Sequence, residues 1–159
     1  MPLHVLWNAV EAVIDALYSR GFRRFICGGA MGFDTMAASV VLQKKRDGLA
    51  DLSLMLALPC EDQAKGWAET DAQLYREIRE QADRLIVLSP RYYPGCMIVR
   101  NRFMVDHAAL CVAFLCTAKG GTAGTVRYAV REGLPVLNLA VADEVSAFLA
   151  GGDNVPLPF

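Results

Sequence analysis

No stretch of this sequence stays apolar for the ~18 residues that a membrane-crossing helix needs. Its longest apolar run, Ala108 to Ala118, has the length of a strand. The N-terminus has no basic segment followed by an apolar core and cleavage site, and Glu11 and Asp15 interrupt it, so it does not read as a signal peptide. A basic excess is also missing. With 16 Lys+Arg against 17 Asp+Glu, the net charge of −1 argues against a strongly basic nucleic-acid-binding domain and leaves room only for a local patch. The five cysteines (Cys27, Cys60, Cys96, Cys111, Cys116) form no Cys-x-x-Cys pair. An odd count without a secretory leader points to reduced thiols and a cytoplasmic location. Cys111 and Cys116, five apart in an apolar run, face opposite sides of a strand. A zinc site built from Cys96, His107, Cys111 and Cys116 is therefore not expected, and the cysteines read as small buried hydrophobes.

Apolar residues, by contrast, are abundant. They make up 54% of the 159 residues, and exchanging the 5 Tyr for the 13 Gly in that count gives roughly 59%, against a usual ~45–50%. This excludes a disordered chain and points to apolar surface buried in an oligomer. The length fits one domain with a real core.

Helical and strand periods alternate along the chain. The spacing predicts a helix over 5–18 with Val5, Ala9, Ala12, Val13, Ala16 and Leu17 on one face, and Gly21 as its stop. A strand over 23–27 follows, then a helix opened by Asp34 and closed by Lys44, Lys45 and Arg46. The continuous apolar run 52–58 fits a strand buried on both faces. Beyond it come a helix over 67–81 with Leu74, Ile78 and Ala82 on one side, a strand over 84–88 and a helix over 97–107. A strand over 110–115, a helix over 122–132, a strand over 136–139 and a short helix over 144–149 complete the pattern. The fold class read from this alternation is α/β, a three-layer parallel sheet with helices on both faces. One domain over 1–150 and an irregular tail over 151–159 are expected.

In such folds ligands gather outside the carboxyl ends of the strands. The loops leaving those ends are rich in Gly, Pro and unusual polar residues, which points to one shared site. The first, Gly28-Gly29-Ala30-Met31-Gly32-Phe33-Asp34, joins a strand to a helix N-terminus, where backbone N–H groups suit an anion; a tight structural turn is the other reading. It is neither the dinucleotide pattern nor a P-loop. A second glycine loop, Gly120-Gly121-Thr122-Ala123-Gly124-Thr125, offers hydroxyls and N–H groups at another helix start, for a phosphate or simply as a cap. Arg100, beside Asn101 and Arg102, is a candidate bidentate anion clamp or part of an exposed basic face. Glu61, Asp62 and Gln63 can bond a ribose or cap a helix, and Trp67 can stack on a base or pack in the core. Cys60 and Cys96 lack an evident base nearby, so a thiol nucleophile is not expected.

Taken together, four stretches resemble the Rossmann-like superfamily that joins the DNA-processing protein A (Smf) family with the LOG (Lonely Guy) phosphoribohydrolases, and within it the YpsA-like family. They are Gly28 to Ala38, Ala57 to Gln63 with Trp67, Arg100 to Asp106, and Gly120 to Thr125, in one order across roughly residues 10–140. YpsA-like proteins usually begin with a strand ending in Thr-Gly-His-Arg. This chain starts essentially inside the helix that follows, so a sheet lacking its first family strand is expected, through a start set too late or a real loss. LOG enzymes carry a Glu after their glycine motif. Aligning Gly120-Gly121 puts Arg127 at that position, and aligning Gly124-Thr125 puts Tyr128 there, so N-glycosidic hydrolysis loses its expected carboxylate.

The resemblance and the loop placement together imply a nucleotide or ADP-ribose-like ligand, as in a sensor, with no other cofactor and no metal. Gly28, Gly29 and Gly32 would admit the ligand, Gly120, Gly121, Thr122 and Thr125 would cradle phosphate, and Arg100 would clamp it. Glu61 or Gln63 would meet a ribose, and Asp34 and Asn101 complete the candidate set. Two alternatives stay open. One is LOG-like hydrolysis of nucleoside monophosphates, with Glu61 or Asp34 as acid. The other is single-stranded DNA binding as in DNA-processing protein A, against which the charge balance and the few aromatics among basic residues argue. The expected partners are a small nucleotide and a second copy of the chain, with neither nucleic acid nor membrane.

Overall fold

The β2 strand, Ser53–Leu58, shows why the sequence folds as it does. Leu54, Leu56, Ala57 and Leu58 are buried, so both faces of the strand are covered, as a continuous apolar run requires. It is the middle strand of a three-stranded parallel sheet, flanked by β1 (Arg24–Cys27) and β3 (Arg84–Val87). Arg24 registers with Ser53, and Met55 with Arg84. The computed structural model describes residues 1–151. Apart from Gly151, the tail expected over 151–159 lies outside the described residues.

The chain divides into two compact units. One comprises residues 23–104 and holds β1, β2 and β3 with α2 (Phe33–Arg46), α3 (Glu69–Gln81) and most of α4 (Cys96–Asp106). Within it α2 packs on β1, β2 and α3. The other comprises, among the described residues, 1–22 and 105–151. It contains α1 (Leu3–Ser19), β4 (Cys111–Ala113), α5 (Gly121–Arg131), β5 (Val136–Asn138) and α6 (Ala142–Leu149). Here β4 and β5 pair in parallel, with Cys111 opposite Val136. α5 packs on both strands, and α6 packs on β5 and α1. The class is the expected one, α/β with parallel strands and six helices among the described residues. None of these helices is long and apolar enough to cross a membrane.

Element order follows the periodicity throughout, while the buried faces differ in detail. α3 buries Ala72, Tyr75 and Ile78 and leaves Leu74 at 37% exposure, so a stripe centred on Tyr75 replaces the expected Leu74, Ile78 and Ala82 face. On α1 the buried residues are Leu6, Val10, Val13, Ile14 and Leu17, one position round from the expected face, and Val5 is exposed. In both helices the larger side chains decide which stripe faces inward, because burial free energy grows with apolar area.

Candidate functional site

β1 ends at buried Cys27, and the chain then turns through Gly28–Gly32 into α2. Gly32 is the N-cap of α2 with φ +91°, a conformation that residues with a Cβ rarely adopt. Gly28 is glycine for a different reason. A Cβ there would lie 2.5 Å from Arg100 Nη1, 2.7 Å from Arg100 Cζ and 2.7 Å from Asp34 Oδ2. The two charged side chains thus close over the Gly28 α-carbon.

Arg100 reaches this point from the first turns of α4 and is 4% exposed. Its Nη1 donates to the Gly28 carbonyl and to Gln63 Oε1 at 3.3 Å. Nε donates to Asn101 Oδ1 at 2.7 Å, and Nη2 to Met97 Sδ at 3.6 Å. Gln63, buried in the turn after β2, donates from Nε2 to the same Gly28 carbonyl at 3.2 Å. The guanidinium therefore points inward and braces the loop, so Arg100 is not part of an exposed basic face.

Asp34, in the first turn of α2, accepts hydrogen bonds from the N–H groups of Ala30 (3.3 Å to Oδ2) and Gly28. Burial pushes its carboxyl above the ordinary range, against the opposing pull of Arg100 and those two N–H groups. Burial likewise pushes the Arg100 guanidinium down, against the attraction of Asp34. Arginine still keeps its charge under such pressure, so a buried guanidinium faces the Asp34 carboxyl across Gly28.

Gly29, at φ +71°, is walled by Leu58, Tyr75 and Gln63, each 3.2–3.3 Å from the position of a Cβ. Tyr75 also meets Trp67 edge to face, with ring centroids 5.3 Å apart at 70°. Its hydroxyl is buried beside Arg79 without completing a hydrogen bond of normal geometry, and Arg100 is its other charged neighbour. The sequence reading missed Tyr75 as part of this wall; its i+3 spacing from Ala72 was the available signal.

The rest of the 60–63 segment is held by its own partners. Glu61 forms an ion pair with Arg79 of α3. Asp62 takes the Tyr92 N–H at 3.0 Å, and the Cys60 thiol and that N–H hold its carboxyl below the usual range. Burial, with Asp62 and Cys96 beside it, pushes the Cys60 thiol up to about 11. Among the described residues no group of three or more His, Cys, Asp or Glu is placed to hold a metal ion.

The second glycine loop lies in the other unit. Gly120, at φ +99°, is the N-cap of α5, whose first turn carries no acidic residue. Gly124 N–H returns to the Gly120 carbonyl at 3.1 Å, and Thr125 Oγ1 donates to the Gly121 carbonyl at 2.9 Å. Thr122 is exposed. Arg127 folds back to donate to the Ala118 carbonyl at 3.2 Å. Asn138, at the end of β5, fixes the start of this segment: its side chain accepts from Leu115 N at 3.0 Å and donates to Leu115 O at 3.1 Å.

The chain matches the family model described as the YspA SLOG family over residues 2–132. It is 30% identical over 139 residues to the uncharacterized SPbeta prophage-derived protein YoqJ of Bacillus subtilis (strain 168), covering 78% of this chain and 80% of that relative. A UPF0398 protein of Bacillus thuringiensis (strain Al Hakam) is 27% identical over 117 residues, covering 72% of this chain and 63% of its own length. Among solved structures, DNA processing protein A from Streptococcus pneumoniae superposes with a TM-score of 0.66 at 19% identity, over 94% of this chain and 51% of that one. The chain thus spans about half of that protein, and at such identity the likeness speaks for a shared Rossmann-like fold.

Proposed function

This chain belongs to the YspA SLOG family, and on that premise we propose that it binds a nucleotide or ADP-ribose-like ligand at the Gly28–Asp34 turn. Family and fold support a nucleotide-related or DNA-processing role in general. The observation that carries the narrower reading is the treatment of one carbonyl. Arg100 and Gln63, from two separate segments, both donate to Gly28 O at the carboxyl end of a parallel strand. That is where open α/β sheets take their ligands, and a backbone fixed in advance lowers the ordering cost of binding. Gln63, Arg100 and Asn101 act from behind the loop. The Gly120–Thr125 loop, with exposed Lys119 and Arg127 around the acid-free start of α5, has the equipment for a phosphate. No catalytic residue is assigned, because Arg127 and Tyr128 stand where the hydrolase resemblance calls for a carboxylate.

A thermal-shift panel of AMP, ADP, ADP-ribose, NAD and short single-stranded DNA tests the reading. A ligand at 100 times its Kd adds ~2.7 kcal/mol, which raises Tm by roughly 5–11 °C for a chain of this size. A selective rise with one nucleotide supports it. A rise with DNA alone that collapses with salt replaces it with strand binding, and no rise with any member overturns it.

A further inference from the structure

Two N–H groups of the turn that leads into α2 are already occupied. Ala30 and Gly28, which would face an anion bound at this turn, donate to the Asp34 carboxylate. That carboxylate lies against the Gly28 α-carbon together with the Arg100 guanidinium. The chain's own carboxyl group thus stands where a glycine-turn site would hold a phosphate, and the nearest buried cation, Arg100, faces it. A second anion brought here has to displace the Asp34 carboxyl from these N–H groups and compete with it for Arg100.

A separate observation concerns the other wall of the turn. The Tyr75 ring lies 3.2 Å from the Cβ position of Gly29, and its hydroxyl is buried without a hydrogen bond of normal geometry. A buried hydroxyl left in this way is costly, and its charged neighbours Arg79 and Arg100 are donors that offer its proton no acceptor. A carboxyl against Gly28 and, beyond the tyrosine ring that walls Gly29, a buried hydroxyl without an acceptor suit an uncharged group whose own hydroxyls both donate and accept.

We propose that Asp34 is the specificity-determining residue of this turn: it excludes phosphate and reserves the place for a neutral, hydroxyl-bearing part of the ligand, such as a sugar diol, with Tyr75 as the second polar contact. This deepens the nucleotide-binding reading and rests on it for the identity of the sugar. The exclusion of phosphate can be tested independently.

The experiment compares wild type, Asp34→Asn and Tyr75→Phe. The probes are inorganic phosphate, adenosine and 2′,3′-dideoxyadenosine, followed by titration and by the backbone amide signals of Gly28 and Ala30. Asp34→Asn is expected to gain phosphate binding at those amides by at least tenfold over wild type and to lose at least tenfold in adenosine affinity. Wild type is expected to bind adenosine at least tenfold more tightly than the dideoxy analogue. Tyr75→Phe, which removes one buried oxygen and keeps the ring, is expected to weaken adenosine and leave phosphate unchanged. Phosphate moving the Gly28 and Ala30 amides of wild type as strongly as those of Asp34→Asn overturns the proposal. So does equal binding of adenosine and its dideoxy analogue. If Asp34→Asn does not fold, the wild-type phosphate titration and the Tyr75→Phe comparison still decide. If no nucleoside or nucleotide binds while Asp34→Asn gains phosphate, the nucleotide reading fails and the anion-filling role of Asp34 stands.

Discussion

Gly28 and Arg100 are fitted to one another twice over: the guanidinium donates to the Gly28 carbonyl, and its Nη1 occupies space 2.5 Å from where a Cβ on residue 28 would sit. The backbone of the first loop and a side chain 72 positions further along are thus one packing unit.

Gly28→Ala therefore forces Arg100 or Asp34 to move. Overpacking of this kind costs ~1–3 kcal/mol, and Tm falls by roughly 2–4 °C for each kcal/mol in a chain of this length. Gly121→Ala is the control. Nothing lies within 4 Å of its Cβ position at the start of α5, so the variant is expected to match wild type or exceed it by up to ~1 kcal/mol. Urea melts of both variants check the contrast, and equal stability of Gly28→Ala and wild type would show that the loop yields freely.

Arg100→Met leaves the Asp34 carboxylate buried without its cation. Breaking one side of a buried pair costs ~3–5 kcal/mol. Removing both charges, in Arg100→Met with Asp34→Asn, is expected to cost clearly less than the two single changes added together, because neither variant group then keeps an uncompensated charge. A double-mutant cycle from denaturant midpoints measures the coupling. Additive costs would mean that Arg100 acts on the loop only through the Gly28 carbonyl and Gln63.

The order and type of the elements were legible because each carries its own period. The continuous run ending at Leu58 and the alternation of strand and helix required an α/β fold with parallel strands, and the structure has one. The first loop was legible as special through its glycines. Its chemistry was not, because contacts made only in the folded chain decide it: nothing near Arg100 in sequence shows that its guanidinium will turn inward onto Gly28, or that Asp34 will fold back onto the N–H groups of the turn before its helix. Glu61 is a similar case. As a loop carboxylate it reads as free to meet a ligand, and only the folded α3 brings Arg79 against it. Tyr75 was hidden because one aromatic at helical spacing looks like any core residue until its hydroxyl is found beside Arg79 and Arg100.

The five thiols are expected to separate by burial when an alkylating reagent is added to the folded protein. Cys116 is exposed and reacts first. Cys111 is half-buried, and burial pushes its thiol up to about 11, so little thiolate is present near neutrality and labelling is slow. Cys27, Cys60 and Cys96 are buried and are expected to label only when the chain unfolds. Intact mass and peptide mapping over a time course read the order directly. Early label on Cys60 or Cys96 would mean that the β2–α3 segment or the start of α4 opens well before global unfolding.

Acid is expected to act on Asp83 and Asp34 with opposite signs. Asp83, just ahead of β3, forms an ion pair with Lys45 of α2 and accepts the Leu54 N–H at 2.8 Å. Burial pushes its carboxyl up, but the Lys45 bond and the Leu54 N–H outweigh it and leave the group below its ordinary value. The folded state then binds this proton less readily than the unfolded one. The stabilisation is complete above the unfolded value of ~3.9 and is lost as pH falls through the lower folded value. Asp34 lies above its ordinary value, so the folded chain takes up that proton first, and acidification from neutrality adds stability there until the unfolded chain is protonated as well. Asp83→Asn should therefore be less stable than wild type near neutrality and should converge on it below pH ~3, giving a flatter acid limb. Urea midpoints from pH ~3 to ~7 measure this, and Lys45→Met should reproduce it because it removes the same ion pair from the other side. If Asp83→Asn kept the full wild-type slope below ~4, the acid sensitivity would have to come from other carboxylates, and the tie between α2 and the start of β3 would carry no pH-dependent stability.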